Sequence, residues 1–147
     1  MPQHFEHRIL PYPADEFYHI VTQVEQYPHF VPWLSDAQII EYTDRGFIAD
    51  LTIGYLFYKD TFRSEVLLTP QERIDIHYIS GPFKHLHNCW TFKPTPSNGV
   101  EVTFSIDFEF KSTHFQRLMN DIFRYAVGKT VTAFEHRAHS LRFRKRY

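Results

Sequence analysis

The strongest constraint on the fold is an abrupt change of hydrophobic period near residue 110. From Val100 to Phe110 every second residue is apolar, and the positions between them carry Glu, Thr, Ser and Asp. A period of two indicates a strand with one buried and one wet face, which is typical of an antiparallel sheet. From Thr113 to about Arg142 the apolar residues follow helical spacing instead, and Gln116 completes a capping-box pattern with Thr113. A helix of this length must cover an apolar surface.

Most of the remaining chain is predicted to be strand. Gln3 to Leu10 predicts a first strand, and two short helical segments follow it, the first beginning near Pro13 with acidic residues in its first turn. The later strands before Val100 are predicted over Ala37–Tyr42, Phe47–Ile53, Tyr58–Leu68, Arg73–Ser80 and Leu86–Phe92. Short connections favour an antiparallel meander, and a twisted sheet of about seven strands curves enough to wrap the terminal helix. The predicted fold is therefore a single α+β domain over residues 1–147, with a helix-grip arrangement.

The aromatic content predicts a cavity. Fifteen Phe, nine Tyr and two Trp provide more aromatic surface than the tight core of a 147-residue chain requires. Strand parity and helix angle turn one set of apolar residues inward, where we expect them to bind an apolar ligand. These residues are Phe62, Trp90, Phe104, Phe108, Met119, Ile122, Phe123 and Ala126. Trp33 and Phe83 lie in proline-bearing loops, and we expect them to be exposed and to gate the mouth of the cavity.

Arg137 interrupts the apolar stripe of the terminal helix. At 100° per residue it falls at the angle of Met119, close to Ala126 and Ala133. We therefore expect it to point inward or along the cavity mouth, where a guanidinium must be paired because an isolated buried charge is too costly. A carboxylate of the sheet and the polar head group of a ligand are the two candidate partners.

Charge is unevenly distributed along the chain. Residues 1–110 contain seven Lys and Arg against fifteen Asp and Glu, whereas residues 111–147 contain nine against two. The basic end either neutralises the acidic sheet or binds phosphate, lipid or nucleic acid. Near the terminus, basic residues alternate with aromatic ones, a mixture suited to an anionic membrane surface, although a frayed, solvated terminus is the alternative. The predicted membrane contacts are Arg142, Arg144, Lys145 and Arg146.

Signals of catalysis and of metal binding are weak. The sequence contains no G-x-S-x-G elbow, no glycine-rich phosphate loop, no H-E-x-x-H and no C-x-x-C. His85 and His87 share one face of a predicted strand, but parity turns that face away from the core, so we expect a solvated surface there. We therefore expect a protein that is not an enzyme and has no metal and no cofactor.

Localisation is predicted from cysteine content and from the first residues. A single cysteine, Cys89, argues against an oxidised secreted scaffold, and the N-terminal residues lack a signal or transit pattern. No apolar run approaches the ~20 residues that span a bilayer. We therefore expect a cytoplasmic protein whose membrane contact is peripheral, on the inner face of the cytoplasmic membrane.

Several motifs occur in an order that is typical of one family. They are Tyr27-Pro-His-Phe-Val-Pro-Trp33, Asp50-Leu-Thr-Ile-Gly54, Gly81-Pro-Phe83 with Leu86 and Trp90, Phe108-Glu-Phe-Lys-Ser112, and Ala133-Phe-Glu-x-Arg137. Together they resemble the ubiquinone (coenzyme Q)-binding proteins of the START-like superfamily, which includes polyketide cyclase-like proteins and bacterial ribosome-association toxins. Leu34 departs from the pattern, since many relatives have cysteine at this position.

The resemblance implies a function as well as a fold. It implies a lipophilic tunnel that binds ubiquinone or a related polyisoprenoid lipid, and a role as a lipid chaperone or transfer protein that supports respiratory electron transport. A ribosome-associated factor that inhibits subunit association is one alternative, for which the basic end could bind RNA phosphates. A cyclase-type enzyme is the third, and it requires acid–base groups in the tunnel, for which only Arg137 and Asn88 are candidates.

Overall fold

The structure is a computed structural model that describes residues 3–55, 58–112 and 124–145. Within these ranges, seven strands form one antiparallel sheet. The strands are β1 Gln3–Leu10, β2 Leu34–Thr43, β3 Gly46–Tyr55, β4 Tyr58–Thr69, β5 Arg73–Ser80, β6 Phe83–Pro94 and β7 Val100–Phe110. Helix α1 (Ala14–Thr22) and a 3₁₀ helix (Val24–His29) follow β1, and helix α2 covers Thr130–Lys145.

The sheet is an open meander, and the first strand adds to it at one edge. Its order is β1-β7-β6-β5-β4-β3-β2, so every strand from β2 to β7 pairs with its neighbour in sequence, and β1 pairs with β7. The register of the last pair runs from Leu10 opposite Val100 to Gln3 opposite Asp107. The predicted α+β helix-grip fold is confirmed, and β1, β5 and β7 have their predicted ends.

The core lies between the concave face of the sheet and the helices. On β7 the residues of one phase, from Val100 to Phe110, are all buried, as the period of two requires. Helix α1 buries Phe17 and Val21 against this face, and α2 buries Phe134. Register shifts place extra residues in β2, β5 and β6, and such bulges add twist and bend the sheet around the helices.

The terminal helix is interrupted. Residues 124–128 are helical, Lys129 forms a turn, and α2 begins at Thr130. The Lys129 N–H donates to the carbonyl of Ala126 at 3.2 Å, a tighter turn than that of an α-helix, and the preceding Gly128 weakens helix propensity. The prediction of an unbroken helix is corrected at Lys129, while its predicted first half, residues 113–123, lies outside the described residues.

The turn between β5 and β6 depends on one glycine. Gly81 has a φ of +142°, which side chains disfavour. A Cβ atom added there would lie 2.6 Å from the Cβ of Phe62. The glycine therefore allows the chain to reverse directly above a buried aromatic ring.

Candidate functional site

An apolar cavity lies between the concave face of the sheet and helix α2. Its volume is about 40 Å³. The described residues that line it are Tyr27, Val31, Trp33, Leu34, Leu51, Phe62, Ile76, Leu86, Asn88, Trp90, Phe104, Ile106, Thr130 and Phe134. One water needs ~10–15 Å³ of such space, whereas a dry cavity that admits benzene measures ~150 Å³. The cavity that the described residues line is therefore too small for an aromatic head group.

Strand parity builds the sheet side of the cavity. Alternate residues of β6, including Asn88 and Trp90, point inward, and Ile106 and Phe104 of β7 lie opposite them. The rings of Trp90 and Phe104 have centroids 4.7 Å apart and planes at 60°. Cross-strand aromatic pairs of this kind stabilise both the wall and the sheet.

Helix α2 and the 3₁₀ helix close the other side. The ring of Phe134 meets the rings of Trp90 at 4.9 Å and of Tyr27 at 5.0 Å, both nearly edge to face. The indole N–H of Trp33 donates a 2.9 Å hydrogen bond to the hydroxyl oxygen of Thr130, and both residues are buried. These contacts hold α2 over the sheet.

Polar groups in the cavity wall are few and already paired. The Tyr27 hydroxyl donates to the carbonyl of Val21, and burial raises the pKa of this phenol well above its usual value. The Asn88 amide donates to the carbonyl of Ser105 at 2.7 Å. Among the described lining residues there is no Asp, Glu, His, Lys, Arg or Cys. The described wall thus offers shape and apolar contact rather than a general acid and base.

The structure brings some of the predicted binding residues together. Trp33, Phe62, Trp90 and Phe104 line the cavity. Phe108 and Ala126 are buried elsewhere in the core. Three more, Met119, Ile122 and Phe123, lie outside the described residues. Their roles in ligand binding remain predictions.

The prediction that Trp33 and Phe83 are exposed aromatic residues gating the cavity is wrong. Trp33 is 6% exposed and Phe83 is fully buried. Strand β6 begins at Phe83 itself, and its ring stacks on Phe110 with centroids 4.7 Å apart. Trp33 is buried because its indole N–H finds a partner in Thr130. Trp33 and Phe83 therefore pack in the core and do not form a gate at the surface.

Arg137 lies beside the cavity rather than in its wall. Its guanidinium carbon lies 5.3 Å from the centre of the Phe30 ring, a cation–π arrangement, and it borders a groove that also contains His29 and His136. No ion pair with a carboxylate is found for it among the described residues. The buried residues of α2 are Thr130, Val131, Phe134 and Ala138. Arg137 lies at the edge of this face and is partly exposed, so of its two predicted positions the inward one is corrected.

Sequence reasoning missed several lining residues. Leu51, Ile76 and Leu86 have the inward parity of their strands, so the alternating pattern could have identified them. Tyr27 and Val31 come from the 3₁₀ helix and the loop after it, where two prolines leave no hydrophobic period to read.

Of the four predicted membrane contacts near the C-terminus, the structure describes the side chain of Arg142 alone. Arg142 lies 3.4 Å from the carboxylate of Glu16 and over the ring of Tyr12, so it ties α2 to α1 and the segment before it. Arg144 and Lys145 belong to α2, but their side chains, like all of Arg146, lie outside the described residues. In the described part of the chain no helix combines the length and apolar character needed to cross a membrane.

Comparison with known proteins gives a consistent relationship. The family described as polyketide cyclase/dehydrase and lipid transport matches residues 10–135. A ribosome association toxin RatA from Rickettsia prowazekii (strain Madrid E) is 34% identical over 139 residues, which cover 91% of this chain and 94% of that protein.

Two further likenesses concern a lipid-binding relative and the fold. The coenzyme Q-binding protein COQ10 homolog B, mitochondrial, from Xenopus laevis is 28% identical over 140 residues, covering 92% of this chain and 57% of that protein. A START superfamily protein from Mycobacterium smegmatis superposes with a TM-score of 0.77 at 17% identity, covering 95% of this chain and 98% of its own. This last likeness concerns the fold alone.

Proposed function

Since the chain belongs to the polyketide cyclase/dehydrase and lipid transport family, we propose that it binds ubiquinone or a related isoprenoid lipid in the cavity between sheet and α2. The observation that carries this proposal is the wall itself, which is apolar and aromatic with no charged group among its described residues. A relative named as a coenzyme Q-binding protein supports the choice of ligand. In this role the protein accepts the lipid from a membrane and delivers it to respiratory electron transport.

The size of the cavity constrains how the lipid enters. Burying one isoprene unit of about 100 Å² contributes ~2.5 kcal/mol, but a bilayer offers the same stabilisation, so only a close-fitting cavity competes. The closed cavity of about 40 Å³ must therefore widen. Widening breaks the hydrogen bond from Trp33 to Thr130, worth ~1 kcal/mol, and separates Phe134 from its aromatic neighbours.

Two isoleucines on β5 provide the test. Ile76 lines the cavity, whereas Ile79 is 49% exposed. We expect Ile76→Trp to fill the cavity and to lower the quinone that co-purifies from a ubiquinone-producing host by about tenfold, equivalent to ~1.4 kcal/mol. Ile79→Trp adds the same ring on the exposed side and should leave the quinone content unchanged.

Quinone content is measured by extraction and mass spectrometry, per mole of protein whose fold is checked by circular dichroism. Overpacking costs ~1–3 kcal/mol, so Ile76→Phe serves as the milder variant if Ile76→Trp unfolds. A folded wild-type protein without quinone would refute the proposal. Equal quinone content in the Ile76 and Ile79 variants would place the ligand elsewhere.

A second candidate function is ribosome association. It is supported by the relative named ribosome association toxin and by the basic residues 111–147. Arg124 and Lys129 are exposed and basic, as a surface that meets RNA phosphates requires. We expect wild-type protein to sediment with ribosomal subunits at low salt, and Arg124→Glu with Lys129→Glu to abolish this. Lys93→Glu, an exposed charge on the sheet, is the matched control. Sedimentation that survives the double change would refute this surface.

A further inference from the structure

The outer face of the sheet carries a cluster of ligand atoms that the proposed lipid site does not use. Asp75 and His77 lie on β5, and His87 lies on β6 directly opposite His77. Their imidazole nitrogens and carboxylate oxygen lie within 4.8 Å of one another. The two imidazole rings have centroids 5.0 Å apart, and Nε2 of His87 lies 3.9 Å from Oδ1 of Asp75.

Strand pairing assembles this cluster. Within β5, Ile76 points into the cavity, so its neighbours Asp75 and His77 point to the outer face. The antiparallel register then brings His87 beside them. In the sequence, His87 is closest to His85. In the structure, the ring of His87 lies instead beside that of His77 on the neighbouring strand, and His85 lies near Asp107 and Glu109.

We propose that Asp75, His77 and His87 form a binding site for one divalent transition-metal ion, of which Zn²⁺ is the best fit. Two imidazoles and a carboxylate suit zinc, copper or nickel, whereas magnesium and calcium prefer oxygen ligands throughout. Three protein ligands leave the fourth zinc position for a water or an exogenous ligand, the arrangement of an open zinc site.

The geometry needs only small rotations to bind the ion. Zinc–ligand bonds of about 2.0–2.1 Å in a tetrahedron place neighbouring ligand atoms ~3.3 Å apart. The 3.9 Å between His87 and Asp75 is close to this value, and the His87 side chain is 42% exposed. No repacking of the core is required, because His77 is exposed as well.

Acidic residues on the neighbouring strands offset the positive charge of Arg73 beside the cluster. Both carboxylate oxygens of Asp75 accept hydrogen bonds from Arg73, at 2.8 and 3.1 Å, which orient the carboxylate and lower its pKa. Outer partners of this kind fix a metal ligand and leave it free lone pairs. Glu65 stands opposite His77 in the register, and Asp107 stands opposite His87, so acidic residues flank the histidine pair on both sides.

The test is calorimetric titration of Zn²⁺ into the metal-free chain of residues 1–147. We expect one ion per chain, and a loss of affinity of about tenfold or more in His77→Ala and in His87→Ala, as when one ligand is removed. Asp75→Asn should weaken binding in the same way. His85→Ala is the matched control, since it removes a histidine from the same face of the same strand as His87, and it should change the affinity less than twofold.

A second measurement identifies the ligands directly. With Cu²⁺ in place of Zn²⁺, electron paramagnetic resonance should show coupling to two imidazole nitrogens, reduced to one in His77→Ala. Absence of Zn²⁺ binding by wild-type protein would overturn the proposal. Wild-type affinity in the His77 and His87 variants, or an equal loss in His85→Ala, would also overturn it. Circular dichroism of each variant confirms that the sheet is intact.

Discussion

Replacing Phe134 by Ala tests whether an aromatic cluster holds α2 on the sheet. Phe134 is 1% exposed, and its ring lies 4.9 Å from Trp90 and 5.0 Å from both Tyr27 and Phe30. A buried Phe→Ala change costs ~3–5 kcal/mol, and edge-to-face pairs add ~0.5–1.5 kcal/mol each beyond burial. The new void would join the existing cavity of about 40 Å³, so small shifts cannot fill it. We therefore expect a loss near the upper end, ~5 kcal/mol.

Urea unfolding followed by circular dichroism measures this loss. Tyr125→Ala is the matched control, because Tyr125 is 62% exposed in the same region, and its loss should stay within ~0.5 kcal/mol. Phe134→Leu should cost ~1–2 kcal/mol, and it keeps the comparison measurable if the Ala variant unfolds. A loss below ~2 kcal/mol in Phe134→Ala, or an equal loss in the Tyr125 control, would refute this account of how α2 is held.

Three further predictions concern a turn, a thiol and the basic end. Gly81→Ala should cost ~1–3 kcal/mol in urea unfolding because of its φ of +142° and the nearby Phe62. Gly128→Ala should be neutral or stabilising, because Gly128 is helical and the nearest atom to an added Cβ is Cε1 of His4, at an ordinary contact distance of 3.9 Å. Burial raises the pKa of Cys89 to about 11, so at pH 8 iodoacetamide should modify it roughly a hundredfold more slowly in the folded protein than in urea. Charge reversal of four basic residues near the C-terminus should weaken binding to anionic vesicles, and added salt should have the same effect. If vesicle binding is unchanged while sedimentation with ribosomes is lost, the ribosome is the favoured partner. The four residues reversed to Glu are Arg142, Arg144, Lys145 and Arg146.

Strand β7 could be predicted from the sequence because its residues alternate strictly. Every second residue from Val100 to Phe110 is apolar, and these same residues are the buried ones, so alternation alone predicts their burial. The terminal helix was predicted less well. The predicted stripe was centred on Met119, Ala126 and Ala133, whereas α2 buries Val131, Phe134 and Ala138. Arg137 therefore lies at the edge of the buried face rather than in its middle.

Side chains whose environment depends on distant partners could not be predicted. The local sequence around Trp33 indicates only a loop. Its burial depends on a hydrogen bond from the indole N–H to the hydroxyl oxygen of Thr130, which lies on a helix distant in sequence. His77 and His87 become neighbours only through the register of β5 and β6, which no local pattern specifies. Local periodicity therefore predicted the wall of the cavity better than its closure or the outer cluster.

Adjacent residues of β5 separate the two proposed sites. Ile76 points into the cavity and His77 points to the outer face, because successive strand residues alternate. We therefore expect Ile76→Trp to lower quinone content without changing Zn²⁺ affinity, and His77→Ala to lower Zn²⁺ affinity without changing quinone content. Both quantities are measured on the same preparations, and the double variant should show the sum of the two single effects. If His77→Ala removes quinone as well, the two faces of the sheet are coupled, and the assignment of separate sites to opposite faces is wrong.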